Sequence, residues 1–99
     1  MEKGKNIIVT SEEVQDEIVG LLRERFGIFI ELESGENYDF FGLHGLLGAR
    51  DLTYLSYLLE IRYGVRFCMK EYDDPNFYHI SGLAAMISNL VSEKNGVAP

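Results

Sequence analysis

"GLLGARDLTYLSYLLEIRYGV", residues 45–65, contains the entrance, the body and the stop of a single helix. Leu52, Leu55, Leu58, Leu59 and Tyr63 recur at helical spacing, and the Asp51 carboxylate can cap free backbone N–H groups at the start. Gly64 supplies the residue type that most readily ends a helix in the left-handed conformation. The spacing therefore predicts a helix from Asp51 to Tyr63 with a broad apolar face. Its mouth, Gly48-Ala49-Arg50, offers a partner no hydroxyl and no thiol.

Upstream, "TSEEVQDEIVGLLRERFG" (residues 10–27) predicts another helix. Thr10 or Ser11 is the N-cap, and Thr10 with Glu13 has the spacing of a capping box. Val14, Ile18, Leu21, Leu22 and Phe26 form the apolar stripe, acids crowd the first turn, Arg23 and Arg25 lie in the last, and Gly27 closes it. Gly20 weakens the middle and is read as the mark of a close helix contact. The twenty-odd residues that follow, "IFIELESGENYDFFGLHGLLG" (residues 28–48), allow a short strand at Ile28, Ile30 and Leu32 but show no partner strand. They read as a long connection pinned by Phe40, Phe41, Leu43 and Leu46. Such a link is long for a simple up-down helix pair.

Downstream, "DDPNFYH" (residues 73–79) places Asp74 at an N-cap and Pro75 at the first helical position of a turn or two. A last helix carries Ile80, Leu83, Ala84, Ile87, Leu90 and Val91 on one side, and the tail from Ser92 reads as loose. The fold class is all-α: three main helices plus one short helix, with the long connection between the first two. Nothing marks an internal boundary, so residues 1–99 form a single domain with a core of about 10–92 and loose ends.

Sixteen acids against nine basic residues give a net charge of -7, which excludes a phosphate-backbone reader and favours basic partner surfaces. A lone cysteine, Cys68, points to a reducing compartment. The start lacks the apolar core of a signal peptide, and no apolar run is long enough to insert in a membrane. A cytoplasmic location follows as the expectation.

Site chemistry is sparse. His44 and His79 stand apart from each other and from Cys68 without ligand spacing, so neither a metal site nor a catalytic pair is indicated. Cys68, between Phe67 and Met69, reads as a packed thiol. Gly42, Gly45 and Gly48 lack the Lys-Ser/Thr of a phosphate loop, and "KEYDD" (residues 70–74) reads as a solvated loop with a helix cap. No cofactor site and no enzyme activity are expected. Tyr54 and Tyr57, three apart, either flank the core with their hydroxyls in water or form an aromatic interaction face.

"LLGARDLTYLSYLLEIRYGVRF" (residues 46–67) followed by "DPNFYHISGLAAMISNLV" (residues 74–91) resembles the second, third and fourth helices of an acyl carrier protein. "LLEIRYG" (residues 58–64) fits the family's ending of helix two. "HISGLAAMI" (residues 79–87) fits its last helix, with His79 in the usual threonine place. The resemblance implies an acyl-carrier-like bundle, but the attachment motif is degenerate. Counting back from Gly64 puts Ala49 where the family keeps the phosphopantetheine serine and Gly48 where it keeps aspartate; a shifted register puts Arg50 or Asp51 there instead. No register yields the hydroxyl that the loading chemistry needs. Among subgroups, "FFGLHGLLGARDLTYLSYLLE" (residues 40–60) is most similar to the serine-lacking acyl carrier-related proteins of bacterial peptide maturation systems.

That resemblance implies a non-catalytic adaptor in bacteriocin-like peptide maturation, without phosphopantetheine. Its partner would be a peptide-modifying or carrier-dependent enzyme of the same pathway, met through Arg50, Asp51, Tyr54, Tyr57 and Arg62. The alternative is a working carrier loaded at an unusual serine, Ser56 or Ser81.

Overall fold

Three of the helix starts use one device: an acid at the third helical residue turns back to accept the N–H of the residue before the helix. The structure, a computed structural model, describes residues 9–30 and 47–94. Helix α1 spans Ser11–Phe26, and Glu13 accepts the Thr10 N–H at 3.0 Å while the Thr10 hydroxyl accepts the Glu13 N–H at 3.1 Å. Helix α2 spans Ala49–Tyr63, and Asp51 Oδ2 accepts the Gly48 N–H at 3.1 Å. The one-turn helix α3 spans Met69–Tyr72, and Glu71 Oε1 accepts the Cys68 N–H at 2.6 Å. Each bond satisfies a donor that no helical carbonyl can reach.

This device moves the start of α2 two residues earlier than Asp51, because Asp51 works from inside the first turn and Gly48 takes the N-cap. It also creates α3 within a stretch that reads as a solvated loop. Glu71 there is only 6% exposed, whereas Cys68, expected to be packed, is exposed. The Phe67 side chain goes inward in its place. Replacing Glu71 by alanine leaves the part-buried Cys68 N–H without its acceptor and is expected to cost about 1–2 kcal/mol. Chemical denaturation checks this; Glu71→Gln, which keeps an acceptor, should recover most of the loss.

A 3-10 helix, Pro75–Tyr78, follows, with the Asp74 carboxylate accepting the Asn76 N–H at 3.0 Å as the sequence predicts. Helix α4, Ile80–Lys94, continues through the first residues of the expected loose tail. Lys94 Nζ donates to the Tyr63 carbonyl at 2.9 Å, placing a cation at the C-terminal end of α2, where the helix dipole favours it. Both α1 and α2 end on a glycine in the left-handed region, Gly27 at φ 69° and Gly64 at φ 65°.

Among the described residues the chain is all-helical, with four α-helices, the 3-10 helix and no strand. Ile28 is buried and Ile30 half-buried beyond α1 without forming a strand; Leu32, Phe40, Phe41, Leu43, His44 and Leu46 lie outside the described residues. Val14, Ile18 and Leu22 of α1 meet Ile80, Leu83, Ala84, Ile87 and Val91 of α4, and Leu52, Leu55 and Leu59 of α2 join the same core with Ile28, Leu47, Phe67 and Phe77. Leu21, Phe26, Tyr63 and Leu90 reach it only partly. Two polar ties set α1 against its neighbours. The Ser88 hydroxyl donates to the Val9 carbonyl at 2.6 Å, and Arg62 of α2 binds both carboxylate oxygens of Glu17 at 3.1 Å.

Candidate functional site at the mouth of helix two

Gly48, Ala49 and Arg50 are all exposed at the entrance of α2, in the order N-cap, first and second helical residue. Gly48 is extended at φ -96°, a conformation open to any residue, and a Cβ there would lie 3.9 Å from Asp51 Oδ2. The entrance thus has room for a side chain and lacks one. The Ala49 methyl, at the first helical position, can neither attack a phosphoryl group nor carry one.

Behind Ala49 a cavity of about 170 Å³ opens between α2 and the α3 to 3-10 segment. Ala49, Leu52, Thr53 and Ser56 form one wall; Tyr72, Phe77 and Tyr78 form the other. Three hydroxyls on these walls donate to backbone carbonyls: Thr53 to Ala49 at 2.9 Å, Ser56 to Leu52 at 2.7 Å, and Tyr78 to Tyr72 at 2.8 Å. The Tyr72 hydroxyl has its pKa raised, first by burial and then by the Glu60 charge, so it is a neutral phenol at ordinary pH. With the Thr53, Ser56 and Tyr78 protons committed to carbonyls, the walls are largely apolar. Sequence reasoning missed Thr53, Tyr72, Phe77 and Tyr78 as walls, since the two sides come from segments some twenty residues apart with no shared spacing.

No known protein family, curated protein or solved structure matches the chain.

The interaction-face residues expected from sequence fall into two groups. Arg50, Tyr54 and Tyr57 lie on the outer side of α2, with Tyr54 43% and Tyr57 57% exposed. The Tyr54 ring meets Phe26 edge-on at a centroid distance of 5.8 Å. Asp51 and Arg62 have structural engagements, with the Gly48 N–H and with Glu17. Glu60, the remaining charge on α2, accepts the Phe67 N–H at 2.7 Å. Ile61, 62% exposed, extends the tyrosine side; its helical spacing from Tyr54 and Tyr57 is a signal the sequence did carry.

Ser56 is 2% exposed and Ser81 half-buried in the first turn of α4. Cys68 and His79 share no hydrogen bond among the described residues, and His79 Nδ1 is buried without a hydrogen-bond partner. Among the described residues no cluster of three His, Cys, Asp or Glu could hold a metal, and no helix is long and apolar enough to cross a membrane.

Proposed function

We propose that the chain is a non-catalytic, acyl-carrier-like adaptor of a bacterial peptide maturation system, of the bacteriocin-producing kind. It works in the cytoplasm without a phosphopantetheine arm and docks a peptide-modifying or carrier-dependent enzyme through the mouth and outer face of α2. The observation that carries this reading is the exposed Ala49 methyl at the first position of α2, beside a Gly48 N-cap with no side chain. A carrier needs a nucleophilic oxygen there. Loading at Ser56 is disfavoured because its hydroxyl is buried and donated to Leu52, out of reach of coenzyme A. The resemblance of residues 46–67 and 74–91 to carrier helices supports the carrier-like scaffold, and that of residues 40–60 to the serine-lacking relatives suggests the pathway.

Mass spectrometry after incubation with a broad-specificity phosphopantetheinyl transferase and coenzyme A tests the proposal. The expected mass is that of the unmodified chain. A stoichiometric phosphopantetheine adduct overturns the adaptor reading. The double variant Gly48→Asp, Ala49→Ser restores the missing groups where a Cβ has room, and it is expected to acquire one adduct on Ser at position 49.

A further inference from the structure

Arg50, Tyr54, Tyr57 and Ile61 are spaced four, three and four residues apart on α2. At 3.6 residues per turn they fall within a stripe about 60° wide and about 16 Å long. All four are exposed, and Tyr54, Tyr57 and Ile61 are large apolar groups on one line of one helix rather than scattered singly. That spacing is the one a helix presents when another amphipathic helix lies along it.

The charges around the stripe decide what kind of helix. α2 carries Arg50, Asp51, Glu60 and Arg62, which cancel, in a chain of net charge -7. Asp51 and Glu60 accept backbone N–H groups, and Arg62 is bound by Glu17. Arg50 is exposed and makes no ion pair among the described residues. Among the described residues, the stripe therefore presents one uncommitted cation at its N-terminal end and no uncommitted anion of α2. We propose that this face docks an amphipathic helix of the partner that lays aliphatic side chains over Tyr54, Tyr57 and Ile61 and sets a carboxylate against Arg50. The net charge of the chain favours basic partners; this face selects an acidic one.

The inference rests on the adaptor reading only in taking α2 as the docking helix. Its test uses two synthetic amphipathic peptides with the same leucine stripe, one flanked at both ends by glutamates and the other by lysines. Binding is read by fluorescence anisotropy and by amide shifts, at about 0.15 M salt to screen the remote acids. The glutamate peptide is expected to bind at least tenfold more tightly, with shifts on α2. Arg50→Glu should reverse that preference, Tyr57→Ala or Ile61→Ala should weaken the glutamate peptide about tenfold, and Arg62→Gln should leave the preference intact.

Absence of binding, equal binding, preference for the lysine peptide, or shifts centred on α1 overturns the proposal. So does self-association of the chain that Tyr57→Ala abolishes, since the occupant would then be a second copy. A phosphopantetheine adduct overturns the adaptor reading without touching the peptide preference, and loss of that preference leaves the mass result standing.

Discussion

Phe77→Ala is expected to remove about 3–5 kcal/mol of folding stability. The Phe77 ring is 1% exposed at the point where the 3-10 helix meets the core. It touches Tyr72 at 4.9 Å and both Phe67 and Tyr78 at 5.2 Å between centroids, so it is the hub of an aromatic cluster. Truncation loses the transfer energy of the ring and leaves a void beside the existing 170 Å³ cavity. Edge-on ring contacts worth about 0.5–1.5 kcal/mol each beyond burial disappear with it. For a domain of this size such a loss is a large part of the total, and Tm should fall by more than about 10 °C. Urea denaturation followed by circular dichroism checks it; a loss under about 1 kcal/mol would mean that the cluster is not part of the cooperative core. Phe77→Leu, which keeps most of the volume, should cost less than half as much.

Gly82→Ala is expected to destabilise by about 2–3 kcal/mol, although alanine is the better helix former. A Cβ at Gly82 would run into the Asn76 carbonyl oxygen and lie 2.8 Å from Asn76 Cβ, so the 3-10 helix would have to lift off α4. Backbone cannot yield there as a flexible side chain could, because Asn76 is held by the Asp74 cap and accepts the His79 N–H at 3.2 Å. Gly20 is the internal control. The sequence marks it as a close helix contact, yet among the described residues a Cβ there has nothing within 4 Å. Gly20→Ala should therefore stabilise by up to about 1 kcal/mol. The two variants add the same single methyl within a helix, Gly82 in the first turn of α4 and Gly20 mid-way along α1, and thermal melts should move in opposite directions. Melts that move together would show that the contact at Gly82 is not what distinguishes the sites.

The candidate site was legible at its mouth and illegible behind it. That Ala49 has no oxygen is written in the chain, and so is the spacing that puts Tyr54, Tyr57 and Ile61 on one side of α2. The capping role of Asp51 is legible too, but the commitments of Glu60 and Arg62 are not, because both act on partners in other segments, Phe67 and Glu17. The net charge of the chain accordingly gives a poor account of the charge on the outer face of α2.

What the residues determined by themselves is local. Thr10 with Glu13 caps α1, Asp74 with Pro75 starts the 3-10 helix, Gly27 and Gly64 stop α1 and α2, and leucine and isoleucine spacing sets the buried stripes. Each involves groups within about four residues, a distance over which backbone geometry is nearly given. Whether Glu71 is buried, Cys68 outward, Gly82 tight and Gly20 open depended on which segment lies opposite. Only packing brings those segments together, and one methyl then changes sign from stabilising to disruptive.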